Sequence, residues 1–158
     1  MIIKFSDLSR LRKRLANKKI VFAGGTFDLI HRGHIEYFKK IKKLGNIVVI
    51  AISSDKRVRQ RKGNKRPIIG EKERLAVIDS FRYIDYSLLA PEPNKKKPVP
   101  TMRILEKLKP NIFISIDKRW LAFRDNIEKM GIQLKLISAR RINSTTRLIN
   151  RILKRYRN

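Results

Sequence analysis

The sequence contains no cysteine. Disulfides, thiolate metal sites and a thiol nucleophile are therefore excluded. Histidine is scarce too, with two residues, His31 and His34. Thirteen Asp and Glu stand against forty Lys and Arg, which leaves a net charge of +27. With carboxylates this sparse and unclustered, no protein-held divalent metal site is expected. The Glu–Lys ion-pair networks of thermophile proteins do not account for the excess of basic residues either. Long apolar runs are also missing. The longest, Ile47 to Ile52, is far too short to cross a bilayer. The opening residues, Met1 to Ser6, lack the apolar stretch of a signal peptide. These absences lead us to expect a soluble, cytoplasmic protein without membrane contact. A length of 158 residues suits one domain with a full core.

A chain this basic attracts phosphate groups, and it can hold nucleic acid non-specifically. A basic, solvated surface accounts for the same composition. From Lys129 to Asn158 there are nine basic residues and no acidic one, yet Tyr156 is the single aromatic there. The aromatic interleaving of a single-strand binder is thus lacking.

The stretch from Ile20 to Phe38, IVFAGGTFDLIHRGHIEYF, organises the rest. Its apolar start reads as a buried parallel strand, which Gly24 and Gly25 break. An amphipathic helix is expected from about Gly33 to Leu44, with Ile35, Phe38 and Ile41 on one face. Strand, glycine turn and helix together make a phosphate-binding arrangement, because turn amides and the positive helix end point the same way.

Along the remainder, Ser6 is expected to cap a first helix carrying Leu8, Leu11 and Leu15. Further strands are expected over 47–52, 83–89, 111–116 and 133–137. Helices are expected over 71–81, 101–109, 119–129 and 144–154. Residues 56–66, KRVRQRKGNKR, read as a mobile loop over the site. Residues 91–100 hold four prolines and read as an extended loop. Alternating strands and helices predict an α/β fold: a three-layer, Rossmann-like parallel sheet of five strands, ordered 3-2-1-4-5. We expect a single domain over 1–158, with an N-terminal helix in 1–17 and a core in 18–155.

Three segments carry chemistry. Gly25-Thr26-Phe27-Asp28-Leu29-Ile30-His31-Arg32-Gly33-His34 places two histidines in the turn after the first strand. Ser144, Thr145 and Thr146 place three hydroxyls at a helix start, where they serve as caps or as phosphate contacts. Lys62-Gly63-Asn64-Lys65-Arg66-Pro67, followed by Glu71, Glu73 and Arg74, is a basic segment leading into a helix.

The first segment fits the pattern GTFDxxHxGH and resembles the cytidylyltransferase-like nucleotidyltransferases. The second is similar to that superfamily's STTxLI segment, and the third to its basic loop with a Pro and an ExxR helix. The resemblance runs over about residues 18 to 155. It is nearest to heptose 1-phosphate adenylyltransferase domains, through HRGH, the SSD after the second strand, VRQRKG, RPI and STTRLI. The resemblance implies transfer of a nucleotidyl group, AMP before CMP, from a nucleoside triphosphate to a phosphorylated small molecule, with release of pyrophosphate. A sugar phosphate comes first as acceptor, with glycerol 3-phosphate, FMN or phosphopantetheine as alternatives. A basic nucleic-acid-binding module and an inactive nucleotide-binding protein are the alternatives of another class.

By the same resemblance, His31 and His34 donate to the triphosphate and the transition state, in protonated form beside phosphate. Lys62 helps neutralise the transition state, with Lys65 and Arg66 as competitors. Gly25, Thr26, Phe27, Gly33, Asp117, Ser144, Thr145, Thr146 and Arg147 complete the nucleotide site, and Arg140 and Arg141 add charge. Asp28 braces the turn. Mg2+ is expected on the triphosphate, and a homodimer is expected. Two features depart from the subfamily: Ser115-Ile116-Asp117 stands where Gly-Gly-Asp is usual, and the Lys95-Lys96-Lys97 loop is foreign to it.

Overall fold

Alternation of side chains along the strands decides the layers. In the computed structural model, which describes residues 1–96, 98–137 and 144–156, β1 (Ile20–Gly25) turns Ile20 and Phe22 to one face and Val21 and Ala23 to the other. β2 (Ile47–Ile52) divides likewise, with Val49 and Ala51 opposite Val48, Ile50 and Ile52. Both faces are covered, so these strands read as unbroken apolar runs. With β3 (Tyr86–Leu89), β4 (Ile112–Ser115) and β5 (Gln133–Leu136) they form a five-stranded parallel sheet ordered β3-β2-β1-β4-β5. The expected order is met, and β1 lies at the centre.

One face packs against α1 (Leu8–Arg14), α5 (Pro100–Leu108) and α6 (Arg124–Glu128), through Leu8, Leu11, Ile104, Leu105, Leu108 and Ile127. The other packs against α2 (Arg32–Lys42) and α4 (Glu71–Asp79), through Phe38, Ile41 and Ile78. α3 (Asp55–Lys62) and α7 (Thr145–Tyr156) stand near the carboxyl ends of the strands, where open parallel sheets place their ligands.

Several local expectations are corrected. β1 does not break at Gly24; it pairs with β2 through Gly25. Ser6 does not cap α1. It sits inside a 3₁₀ turn, Phe5–Asp7, and Asp7 reaches back to accept from the Lys4 N–H at 3.1 Å. Residues 83–85 precede β3 rather than belonging to it, because Asp85 turns its carboxylate to the Val48 N–H and the Lys42 ammonium. The single helix expected over 119–129 is a 3₁₀ stretch, Lys118–Phe123, followed by α6.

The largest correction concerns residues 56–66, whose first part is helix. Ser54 caps α3 by accepting from the Arg57 N–H at 3.2 Å. Glu71 accepts from the Asp55 N–H at 2.6 Å. Val58 is 1% exposed and anchors the helix to the core. Arg, Lys and Gln are good helix formers, so only the cap and this anchor had to be added. Gly63 ends the helix at φ 86° and ψ 166°, a conformation open essentially to glycine alone.

Candidate active site

A cavity of about 690 Å³ opens beyond the carboxyl end of β1. Gly25, Thr26 and Phe27 form its base, and His31, Gly33 and His34 bring in the start of α2. Lys62 and Arg66 enter from the end of α3 and the turn after it, and Ser144, Thr145 and Thr146 from the start of α7. Two positive helix ends thus address one space.

The turn is built around Phe27. Its φ is 48°, in the left-handed region that non-glycine residues seldom adopt. Its ring folds back over Gly25, where a Cβ would lie 2.6 Å from the ring Cζ. Gly25 is therefore required by this ring. Phe27 in turn presents its ring to His34, edge-on, with centroids 5.5 Å apart.

His31 is the N-cap of α2, with φ −147° and ψ 168°, and its Nδ1 accepts from the Gly33 N–H at 3.1 Å. A neutral imidazole whose Nδ1 accepts carries its proton on Nε2. His34 stacks on it with ring centroids 3.9 Å apart and an interplanar angle of 21°. Nδ1 of His34 is buried without a hydrogen-bond partner among the described residues. An orphaned buried donor is rarer than an orphaned acceptor, so we assign the proton of His34 to Nε2 as well. Burial lowers the pKa of His31, against its own backbone hydrogen bond. Burial, then the neighbouring His31 and the charge of Lys62, push His34 down to about 4. These shifts belong to the protein alone; the protonated form expected from the sequence is a form beside phosphate, whose negative charge would raise both values. At neutral pH the protein alone holds His34 uncharged, chiefly through burial and further through the neighbouring His31 and Lys62.

This has a consequence for stability. The folded pKa of His34, about 4, lies below its ordinary value of 6.5. Between those values the unfolded chain binds a proton that the folded chain does not. The stabilisation is complete above pH 6.5 and is lost as pH falls toward 4. We expect the wild-type melting temperature to fall more steeply over that window than that of His34→Gln, by several degrees. Thermal melts of the two proteins from pH 7 to pH 4 give the comparison, and parallel curves would contradict the assigned burial.

Asp28 does more than brace its own turn. Its Oδ2 accepts from Arg66 at 3.0 Å, and its Oδ1 accepts from the N–H groups of Ile68 and Ile69 at 2.9 and 3.0 Å. Arg66 also donates to Thr146 Oγ1 at 3.2 Å, so it bridges the turn and α7. Beneath them, the fully buried Arg74 donates to the carbonyls of Thr26, Ser53 and Ile69 and to the Asp55 carboxylate. That one guanidinium joins the ends of β1 and β2 to the start of α3.

Of the basic competitors, Lys62 and Arg66 line the cavity and Lys65 does not. Burial lowers the Lys62 pKa, as do Arg61 and Arg66, while Asp28 raises it. Ser144 Oγ accepts from the Arg147 N–H at 3.2 Å, so one of the three hydroxyls does serve as a cap. Asp117 and Arg147 are not among the lining residues. Asp117 faces a neighbouring cavity and pairs with Arg119 at 2.6 Å. Arg140 and Arg141 lie outside the described residues. Two lining residues were not read from the sequence. Tyr37 sits three residues after His34 on the same face of α2, a spacing that could have shown it. Ile116, 61% exposed, follows β4. Among the described residues no group of three or more His, Asp or Glu could hold a metal ion, and no helix is long and apolar enough to cross a membrane.

Comparison with known proteins places this geometry. The family model described as cytidylyltransferase-like matches residues 22–153. The bifunctional protein HldE of Pelobacter propionicus is 35% identical over 147 residues, which cover 91% of this chain and 29% of that protein. HldE of Helicobacter pylori strain P12 is 37% identical over 111 residues, covering 70% of this chain and 23% of that one. The chain therefore spans less than a third of the length of these relatives. Among solved structures, the lipopolysaccharide core biosynthesis protein of Thermoplasma volcanium shares 32% identity with a TM-score of 0.61, over 75% of this chain and 93% of the other. Pantothenate synthetase from Thermus thermophilus, at 13% identity and a TM-score of 0.56 over 86% of this chain and 60% of that one, shares the fold. With the family model running from the middle of β1 well into α7, the chain belongs to the cytidylyltransferase-like family of nucleotidyltransferases.

Proposed function

We propose that this chain transfers a nucleotidyl group, AMP in preference to CMP, from a nucleoside triphosphate to the phosphate of a small-molecule acceptor, a sugar phosphate before others. The observation that carries the reading is the meeting of two imidazoles, Lys62 and two helix N-termini around one cavity of about 690 Å³. That volume is in the range of small-molecule sites, roughly 300–1,000 Å³. HldE relatives and the resemblance to heptose 1-phosphate adenylyltransferase domains support a sugar phosphate.

In this reaction an oxygen of the acceptor phosphate forms a bond to the α-phosphorus. The bond from that phosphorus to the oxygen bridging to the β-phosphorus breaks, and pyrophosphate leaves with the electron pair. A phosphate monoester is largely dianionic at neutral pH, its second pKa being about 6, so the attacking oxygen needs no base. Imidazoles suit such a step in either charge state, and a bound triphosphate would raise the lowered pKa of His34. They donate hydrogen bonds to phosphate oxygens, and they are not asked to accept a proton. Lys62 supplies full positive charge to the developing negative charge, and a bound triphosphate would raise its lowered pKa. The cation Mg2+ would arrive on the triphosphate as part of the substrate.

Pyrophosphate release measured over ATP and CTP, each with sugar 1-phosphates, glycerol 3-phosphate, FMN and phosphopantetheine, tests the reading. ATP with a sugar phosphate should give the highest rate, and no release from any pair would refute nucleotidyl transfer. In the same assay Lys62→Met should lower kcat by about 10²-fold. Lys65→Met, outside the cavity, should leave it within about two-fold. An equal loss in both variants would mean that bulk charge, and not Lys62, is responsible.

A further inference from the structure

A second cavity, of about 300 Å³, adjoins the first across α3. Lys62 serves the first cavity, while Arg57 and Arg61, one helical turn apart on α3, line the second. The walls meet where the Ser53 N–H donates to the Gly25 carbonyl at 2.9 Å. Ser53 lines the second cavity and Gly25 the first.

Its charge is unbalanced. Asp117 is the lone carboxylate among the lining residues, and Arg119 holds it through three contacts of 2.6 to 3.0 Å. That pair largely cancels itself, and Asp117 offsets the nearby Arg61 only in part. Arg57 and Arg61 remain, with no carboxylate of the described residues bonded to them. Arg61 is exposed on one side, yet its partial burial and the charges of Arg119 and Arg57 all disfavour its cation, against Asp117. Arginine does not relieve such crowding by losing its proton. The N-terminus of α5 also faces this cavity at Pro100 and Thr101, and its Val99 N-cap has no side-chain cap. Beside these positive groups stand Trp120 and Phe123. Trp120 is held edge-on to Phe113 at 4.9 Å. An apolar wall next to two unbalanced guanidiniums suits a small molecule that ends in an anion.

We propose that this cavity seats the far end of the acceptor, and that this end carries an anionic group of its own besides the phosphate that attacks. The inference rests on the proposed transferase reading, which places the attacking phosphate in the first cavity. It adds that the acceptor is a doubly anionic molecule spanning both.

Trp120 is the only tryptophan of the chain, so its fluorescence reports this cavity without any turnover. The intact protein is titrated with glucose 1-phosphate, glucose 1,6-bisphosphate and glucuronic acid 1-phosphate. The two doubly anionic probes should change Trp120 emission and bind about 10- to 100-fold more tightly than the monophosphate. Comparing the two shows whether phosphate or carboxylate is preferred. Arg57→Gln/Arg61→Gln should abolish that advantage. Lys39→Gln/Lys40→Gln, which removes the same charge from exposed positions on α2, should keep it. The single variant Arg61→Gln, at an exposed position, reads the same loss if the double variant does not fold. Equal affinity for all three probes, an advantage that survives loss of Arg61, or tight binding without a Trp120 response would each overturn the proposal. Failure of pyrophosphate release would instead count against the transferase reading, since these titrations need no reaction.

Discussion

Replacing His34 by alanine is expected to slow pyrophosphate release by about 10³-fold, the upper range for loss of one preorganised donor. His34 is held by an edge contact from Phe27 and a stack on His31, so its ring is fixed before substrate arrives. A donor already in place adds most where charge develops in the transition state. Triphosphate affinity should therefore fall much less than kcat, by no more than about ten-fold. The fold should survive, because the substitution also removes a buried nitrogen that lacked a partner among the described residues. His34→Gln keeps an N–H in reach and should recover part of the rate. His31→Ala differs in kind. It removes both a donor and the cap of α2, and loss of a cap costs about 1 kcal/mol. Steady-state rates with circular dichroism separate these outcomes. A folded His34→Ala enzyme retaining a tenth of the wild-type rate would remove His34 from the chemistry.

How far this site was legible follows from the range of the interactions that make it. GTFDLIHRGH brings its histidines together within ten positions on one strand–turn–helix, so the sequence displayed them. The strand order was legible because IVFA and IVVIAI are continuous apolar runs, as strands covered on both faces must be. α3 was not, because Val58 is its one buried apolar residue and periodicity had nothing to register. Its supports come from Glu71, sixteen residues away, and Arg74, nineteen away. The bridge from Asp28 to Arg66 spans thirty-eight residues and was equally hidden. The charge state of the histidines depends on stacking and burial, which no local pattern encodes. Asp117 is the opposite case. Its partner Arg119 stands two residues on, close enough in sequence to have suggested the pair.

Arg74→Met should be the most destabilising substitution near the site. The side chain of Arg74 is 0% exposed, and it serves three carbonyls and one carboxylate. Methionine fills similar space and satisfies none of them. Removing one partner of a buried ion pair costs roughly 3–5 kcal/mol, because the remaining groups stay buried without compensation. Asp55 is 22% exposed and recovers some hydration, so the lower half of that range is expected. At about 2–4 °C per kcal/mol for a chain of this size, the melting temperature should drop by roughly 10 °C. Arg74→Lys should fall between, since three ammonium donors on one nitrogen cannot span acceptors arrayed around a planar fork. Catalysis should suffer even where the variant is folded. Thr26 at the base of the cavity and the start of α3, which carries Lys62, are both tied to this guanidinium. A melting temperature within about 2 °C of wild type would show that water replaces the lost donors. The join between β1, β2 and α3 would then have to be sought in Asp28 and Arg66.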